Sequence, residues 1–326
     1  GNAVELQGVV MGGRGMRYFI GMDVGGTHCR MKVGDGSGRI LGEFDGPGCS
    51  LNTDSEAVCR DRYRGLVLPA LKKLGLTPEA CGGLCAAASG LDFPAQAAGC
   101  GRIFEEMGFA GKAVRLVNDC EIFLCLSDGP ALVLVSGTGS ICYGRNAAGE
   151  TVRCGGWNHV ISDEGSGFDM GLMLLRAAGN WLDGRGSSET LARRIMEAAG
   201  VRSLEEINAL VNASLFEKAR IAALTRTGAE AALQGDSEAK EIHRRIAVRL
   251  CRLAADTAKK MGEDPGYSGP LWLWGGLLEK NALLREFLLE EIKKHLPLAE
   301  GKVPERSALD IALGEAQKIL TPPPQT

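Results

Sequence analysis

The sequence has little net charge and no long apolar run. Its 37 basic and 40 acidic residues leave a net charge of -3, which gives no basic surface for nucleic acid or for an anionic membrane. No window reaches the roughly eighteen apolar residues that a membrane-spanning helix needs, and residues 1–18 hold no run typical of a secretory signal. We therefore expect a cytoplasmic protein with neither nucleic acid nor a membrane as its partner.

The cysteines follow no disulfide or zinc pattern. There are eleven of them, an odd number, and most lie within apolar runs. Such residues are typical of small buried side chains in a reducing compartment. Cys81 and Cys85 are the closest pair, but the sequence lacks a second pair or a nearby histidine at zinc spacing. We expect neither a disulfide framework nor a metal cage.

The common nucleotide-binding motifs are missing as well. The pattern GxxxxGK[ST] does not occur, because Gly111-Lys112 and Gly301-Lys302 are followed by alanine and valine. No complete GxGxxG is present. These absences disfavour a P-loop and a Rossmann fold.

The sequence does have many glycines, 46 in all, and several of them separate short strands. Residues 18–45 read as three strands broken by glycine turns, and residues 131–153 repeat that plan, which suggests a duplicated domain. Residues 54–76 and 187–262 have helical periodicity. Because 326 residues suffice for two cores, this mixture predicts an α/β architecture with two lobes.

Three of the glycine turns could bind an anion. Glycine has no Cβ, so backbone N–H groups in such a turn can come within hydrogen-bond distance of a phosphate. One Gly-Gly turn is usually only a tight hairpin, but three in one chain favour polyphosphate binding. The turns are DVGGT at 23–27, SGTGS at 136–140 and WGGL at 274–277.

The order of the motifs resembles that of the actin/hexokinase/Hsp70 superfamily. Its phosphate-1, connect-1, phosphate-2, adenosine and connect-2 motifs resemble DxGGT (23–27), NDxxI (118–122), SGTGS (136–140), WGG (274–276) and ALGEA (312–316). The stretch CGGWNHVISDEGSG, at 154–167, resembles the N-acetylglucosamine kinase group of the BadF/BadG/BcrA/BcrD-type ATPase family. The similarity covers about residues 18–320.

The resemblance implies two actin-like, ribonuclease H-like α/β lobes with an interlobe cleft. They would span residues 17–130 and 131–320, with helical additions in the second lobe and a final helix that packs back on the first. The implied function is ATP-dependent phosphorylation of an amino sugar, N-acetyl-D-glucosamine, to its 6-phosphate. The implied cofactors are ATP and Mg²⁺, and family analogy implies a homodimer.

The resemblance also implies individual roles. Asp119 would be the general base that accepts the proton of the sugar hydroxyl, and Asp23 would hold Mg²⁺ through water. The implied nucleotide contacts are Asp23, Gly25, Gly26, Thr27, Gly137, Thr138, Gly139, Ala222, Gly275 and Gly276. The implied sugar contacts are Asn52, Asp119, Ser140, Ile141, Gly156, Trp157, Asn158 and Asp163.

Purely structural roles stay open for several of these residues. Asp23 and Asn52 could stabilise their own turns. Asp119 and Asp163 could cap the helices predicted after them. Trp157 could be a buried anchor of its glycine-flanked loop.

Other functions stay open too. Glucosamine kinases of the family share GTxCR (26–30) and ISDxGSG (161–167), so glucosamine and N-acetylmuramate are alternative acceptors, although Trp157 and His159 favour an N-acetylated sugar. An iron-sulfur activator ATPase usually has a GGQD-like second phosphate motif, where this sequence has SGTGS. A sugar-sensing regulator would need a DNA-binding extension before Met16 and a basic stretch.

Overall fold

The computed structural model describes residues 17–264 and 266–319, which fall into two compact units. Described residues up to 122, together with those from 306 onward, form the first unit. Residues from 123 to 305 form the second. The boundary between the lobes predicted at 17–130 and 131–320 lies later in the chain than this division, and the last helix belongs to the first unit.

A five-stranded sheet and three α-helices make up the first unit. The strands are β1 (Tyr18–Val24), β2 (His28–Asp35), β3 (Ile40–Pro47), β4 (Cys81–Ala88) and β5 (Val114–Asn118), and the helices are α1 (Glu56–Leu74), α2 (Pro94–Glu106) and α11 (Ala308–Lys318). The sheet order is β3-β2-β1-β4-β5. Strands β1 to β3 form the antiparallel meander expected for residues 18–45, whereas β4 and β5 run parallel to β1.

Local sequence explains where helix α1 begins and ends, and helix α11 packs closely on the sheet. Helix α1 begins after Ser55, whose side chain accepts the N–H of Val58, and ends at Gly75, which adopts a left-handed conformation. Helix α11 packs on β1 and β4. It lies so close to β1 that a Cβ at Gly21 would overlap the backbone of Leu313.

The second unit repeats the sheet plan and adds most of the helices. Its strands are β6 (Ala131–Ser136), β7 (Ser140–Arg145), β8 (Thr151–Gly155), β9 (Pro270–Trp274) and β10 (Glu300–Lys302), in the order β10-β9-β6-β7-β8. Its helices are α3 (Gly167–Leu182), α4 (Glu189–Ala199), α5 (Leu204–Asn212), α6 (Ser214–Ala222), α7 (Leu224–Leu233), α8 (Ser237–Lys260), α9 (Gly276–Lys280) and α10 (Ala282–His295). The meander predicted at 131–153 is therefore confirmed as β6, β7 and β8.

Strand register places the glycine turns and acidic residues at sheet edges. In the first unit, Val24 pairs with Ala88 and Ala88 with Asn118, so β1, β4 and β5 end at one edge. In the second unit, Val135 of β6 pairs with Trp274 of the parallel strand β9. Asp119 and the glycine turns 23–27, 136–140 and 274–277 therefore lie at the carboxyl ends of parallel strands.

Two helix predictions were wrong in detail. The segment after Asp119 is a short 3₁₀ helix over Glu121–Leu126 rather than an α-helix. The Asn118 side chain accepts the N–H of Cys120 at 2.9 Å, which holds this point of the chain in a turn. Within residues 187–262, where the sequence predicts helical structure, the chain is interrupted at Ala223 and forms α6 and α7.

The eleven cysteines are all free thiols, either buried or half-buried. Across residues 17–264 and 266–319, no helix combines the length and the apolar character that crossing a bilayer requires.

Candidate active site

Asp119 lies directly after β5, half-buried at the sheet edge where β1 also ends. Burial is the main cause that raises the pKa of its carboxyl, and the negative charges of Asp23 and Asp92 raise it further. Hydrogen bonds from Cys120 oppose this rise, and the resulting pKa is about 6. At neutral pH the group is therefore ionised, yet it is a stronger base than an ordinary aspartate.

Asp23 and the first glycine turn share that edge. Asp23 Oδ2 accepts a hydrogen bond from Arg30 Nη2 at 2.9 Å, and 23% of its side chain is exposed. The N–H of Gly25 donates to the carbonyl of His28 at 2.8 Å and closes the hairpin. A Cβ at Gly26 would meet no atom within 4 Å. The fold therefore leaves open space at this turn.

Asn52 is held by a network of side chains that sequence analysis missed. Its Nδ2 donates to Asp92 Oδ2 at 2.7 Å, and its Oδ1 accepts from Gln96 Nε2 at 2.7 Å. Asn118 Nδ2 donates to the other oxygen of Asp92 at 3.4 Å. Both ends of the Asn52 amide are thus fixed, and the network reaches the residue before Asp119. No motif or spacing in the sequence predicts that residue 52 contacts residues 92 and 96.

The second unit contains a cavity of about 680 Å³, a volume typical of small-molecule sites. Helices α3, α6, α7 and α9 and the second glycine turn surround it. Small and apolar residues dominate its lining: Gly137, Thr138, Gly167, Ala219, Ala222, Ala223, Ala229, Leu233, Gly276 and Leu277. The polar side chains around it are Thr225, Arg226, Glu230, Lys280 and Asn281. The cavity can accept a flat apolar group beside a turn of backbone amides.

Three glycines of the second and third glycine turns differ in whether the fold leaves room for a side chain. Gly275 has φ +95° and ψ 152°, a conformation open essentially to glycine alone, and a Cβ there would lie 2.5 Å from the carbonyl oxygen of Ser136. A Cβ at Gly139 would lie 2.9 Å from Asp163 Oδ1. A Cβ at Gly276 would meet nothing within 4 Å. The fold therefore requires glycine at 275, a side chain at 139 would displace the Asp163 carboxylate, and the fold does not require glycine at 276.

Asp163 is buried and strained. Its φ of 65° makes it the only non-glycine residue with a positive φ in the described part of the chain. Its carboxylate accepts the N–H of Ser140 at 3.1 Å and a hydrogen bond from Lys218 Nζ at 2.7 Å. The Ser140 hydroxyl donates to the carbonyl of Glu164 at 2.7 Å. The cap of the following helix is Ser166, so the alternative that Asp163 caps it is wrong.

Trp157 is 52% exposed, so the alternative of a buried anchor is wrong. The guanidinium carbon of Arg153 lies 3.9 Å from the centre of its ring, in cation–π contact. Arg153 also donates to the carbonyls of Gly155 at 3.1 Å and Gly156 at 2.7 Å. The neighbouring Asn158 accepts the N–H of Val160 at 2.8 Å. Arg153, which sequence analysis also missed, thus fixes the loop that carries Gly156 and Trp157.

The predicted site residues are distributed over both units. The first unit contains Asp23, Gly25, Gly26, Thr27, Asn52 and Asp119. The second contains Gly137, Thr138, Gly139, Ser140, Ile141, Gly156, Trp157, Asn158, Asp163, Ala222, Gly275 and Gly276. Gly137, Thr138, Ala222 and Gly276 line one cavity. The ligand contacts assigned to all these residues stay predictions.

Similarity to known proteins covers most of the chain. A sequence profile of the BadF/BadG/BcrA/BcrD ATPase family matches residues 20–317. The N-acetylmuramic acid/N-acetylglucosamine kinase of Clostridium acetobutylicum is 34% identical over 238 residues, which are 72% of this chain and 77% of that protein. The N-acetyl-D-glucosamine kinase of Dictyostelium discoideum is 25% identical over 295 residues, which are 86% of this chain and 92% of that protein.

Solved structures show the same fold. A Chromobacterium violaceum protein assigned as an N-acetylglucosamine kinase has a TM-score of 0.70 at 24% identity, with 94% of this chain and 100% of that chain covered. The ROK hexokinase from Thermus thermophilus has a TM-score of 0.57 at 18% identity, with 93% and 98% covered. The two five-stranded sheets and this likeness confirm the predicted actin-like α/β fold class.

Proposed function

The chain belongs to the BadF/BadG/BcrA/BcrD ATPase family, and on that premise we propose that it is an ATP-dependent kinase of an amino sugar. N-acetyl-D-glucosamine is the proposed acceptor, its 6-phosphate the product and Asp119 the general base. The names of the relatives from Clostridium acetobutylicum and Dictyostelium discoideum support this acceptor class.

The observation that carries the proposal is the state of Asp119. Its carboxyl follows a parallel strand, shares a sheet edge with Asp23 and has a pKa raised to about 6. A carboxylate with this pKa is still largely ionised near neutral pH and is a stronger general base toward an alcohol than an ordinary aspartate.

In the proposed reaction the 6-hydroxyl oxygen forms a bond to the γ-phosphorus of ATP. The bond between that phosphorus and the β,γ-bridging oxygen breaks, and ADP leaves. Asp119 takes the hydroxyl proton, and the product is the phosphate monoester of the sugar's 6-hydroxyl. Orientation and proton transfer are the contributions that this chain's own residues make.

The nucleotide is proposed to bind in the alanine-lined cavity of the second unit, with its phosphates at the glycine turns 136–140 and 274–277. The open space at Gly276, which also lines this cavity, fits this assignment, because without a Cβ a ligand can approach the backbone there. Asp23 offers one partly exposed carboxylate, and the described residues contain no group of three metal-ligating side chains. This suits Mg²⁺, which keeps several waters and binds phosphates, and which would neutralise phosphate charge.

A second acceptor, N-acetylmuramate, is favoured by the 34% identical relative from Clostridium acetobutylicum, whose name includes both sugars. The decisive experiment is a coupled ADP-release screen over N-acetylglucosamine, N-acetylmuramate, glucosamine, N-acetylmannosamine and glucose. We expect N-acetylglucosamine to give a kcat/KM at least about tenfold above that for glucose. Mass spectrometry and ³¹P NMR would identify the 6-phosphate. ADP formation that no amino sugar accelerates would refute the proposal.

The pKa of Asp119 predicts an acid limb in the pH profile. Because the base must be ionised, kcat/KM for the acceptor is expected to fall about tenfold per pH unit below pH 6 and to be level above it. Rates measured from pH 4.5 to 8, with enzyme stability checked at each pH, test this expectation. A limb that appears only near pH 4 would mean that Asp119 titrates as an ordinary aspartate.

A further inference from the structure

We propose that Lys218 is a positioning residue that holds the Asp163 carboxylate in place for the acceptor sugar. The proposal rests on the proposed function, since it takes Asp163 to be a sugar contact. It adds a residue on a different element, helix α6, to the acceptor site.

Asp163 needs such a partner because of where it lies. Its side chain is only 6% exposed, and its backbone has a positive φ of 65°, which is uncommon for a residue other than glycine. A buried carboxylate without a compensating charge would protonate or turn toward water. Its geometry therefore depends on the groups that contact it.

Lys218 supplies the compensating charge. Lys218 Nζ lies 2.7 Å from Asp163 Oδ2, while the N–H of Ser140 lies 3.1 Å from Oδ1. Each carboxylate oxygen thus has one fixed donor, and each can still accept a further hydrogen bond. The carboxylate is held at both oxygens and keeps capacity for sugar hydroxyls.

The test must distinguish a positioning role of Lys218 from a general disturbance of helix α6. Ala219 and Ala222 of the same helix line the proposed nucleotide cavity, so a disturbed α6 would weaken ATP binding as well. A positioning role acts on the acceptor alone. The KM values for acceptor and ATP therefore separate the two explanations.

The test compares Lys218→Met, Lys218→Arg and a matched control, Lys294→Met. Lys294 also pairs with a carboxylate in this unit, Glu291 at 2.6 Å, but on the helix α10. We expect Lys218→Met to raise the acceptor KM about tenfold or more, with kcat and the ATP KM within about threefold of wild type. The arginine variant should restore most of the affinity, and the control should behave as wild type.

A double-mutant cycle with Asp163→Asn, read by Tm, measures the pairing without reference to activity. Lys218→Met should lower Tm, and this loss should be much smaller in the Asp163→Asn background. An unchanged or lowered acceptor KM in Lys218→Met, or a parallel rise of both KM values, would overturn the proposal. If the wild-type protein phosphorylates no amino sugar, both the proposed function and the role of Asp163 in sugar binding are wrong. If the double-mutant cycle still shows coupling between Lys218 and Asp163 in that case, the ion pair is present and only the proposed function has failed.

Discussion

Replacing Asp119 with asparagine is expected to lower kcat about 10³-fold, with the KM for ATP changed less than about threefold. Asparagine keeps the size of the side chain but cannot accept the proton, and general-base catalysis contributes about 10² to 10⁴. Asp119 is not among the residues that line the proposed nucleotide cavity, so nucleotide affinity should survive. Coupled ADP release over a range of both substrates measures these constants.

The same substitution is expected to stabilise the protein above pH 6. The pKa of Asp119 is raised from 3.8 to about 6 in the folded chain, so folding favours the neutral carboxyl. The contribution of this raised pKa to the free energy of unfolding is fully present below about pH 3.8. It is lost as the pH rises through 6. Asparagine avoids this loss, which amounts to at most about 3 kcal/mol from the difference in pKa.

Asp92→Asn is the matched control. Asp92 is a second aspartate whose charge raises the pKa of Asp119, but its carboxylate accepts a hydrogen bond from Asn52 and is not proposed to take the proton. We expect its kcat to change less than about tenfold. A lower Tm of Asp119→Asn at pH 7.5, together with weakened ATP binding, would show that the residue is structural. A kcat close to that of wild type would remove Asp119 from the catalytic role.

The sequence was most informative where local chemistry decides the structure. Glycine turns between short apolar strands predicted both meanders, and the DxGGT and SGTGS motifs follow directly after buried strands. Register then places Asp23 and Asp119 at one edge, because parallel strands end together. The position of Asp119 was therefore predictable, although its raised pKa depends on burial and on Asp92, which is distant in sequence.

Contacts between distant residues were not predictable from one sequence. Lys218 and Asp163 are separated by 55 positions, and a lysine on an amphipathic helix gives no sign of a buried partner. Arg153 and Trp157 are close in sequence, but their stacking depends on the left-handed glycines 155 and 156 between them. After Asp119 the chain forms a turn, in which the Asn118 side chain accepts the N–H of Cys120, and a short 3₁₀ helix follows instead of the predicted α-helix.

Substituting valine for Gly276 is expected to raise the KM for ATP about 10- to 100-fold while the KM for the sugar stays within about threefold. The Cβ of the new side chain would meet no atom of the fold within 4 Å, and the position lines the proposed nucleotide cavity. Overlap with a bound ligand typically costs about 1–3 kcal/mol, which corresponds to this range of affinity. Tm without nucleotide should change by less than about 2 °C, because φ at this residue is not positive and surface substitutions have small effects.

For the adjacent substitution Gly275→Ala we expect the opposite effect on Tm. Its Cβ would lie 2.5 Å from the carbonyl oxygen of Ser136, and its backbone conformation is essentially restricted to glycine, so Tm should fall by several degrees. Differential scanning fluorimetry with and without ATP separates the two variants: Gly276→Val should lose the stabilisation by ATP at an unchanged starting Tm. Full stabilisation of Gly276→Val by ATP would mean that the nucleotide binds elsewhere, because a valine in an occupied cavity must displace its ligand.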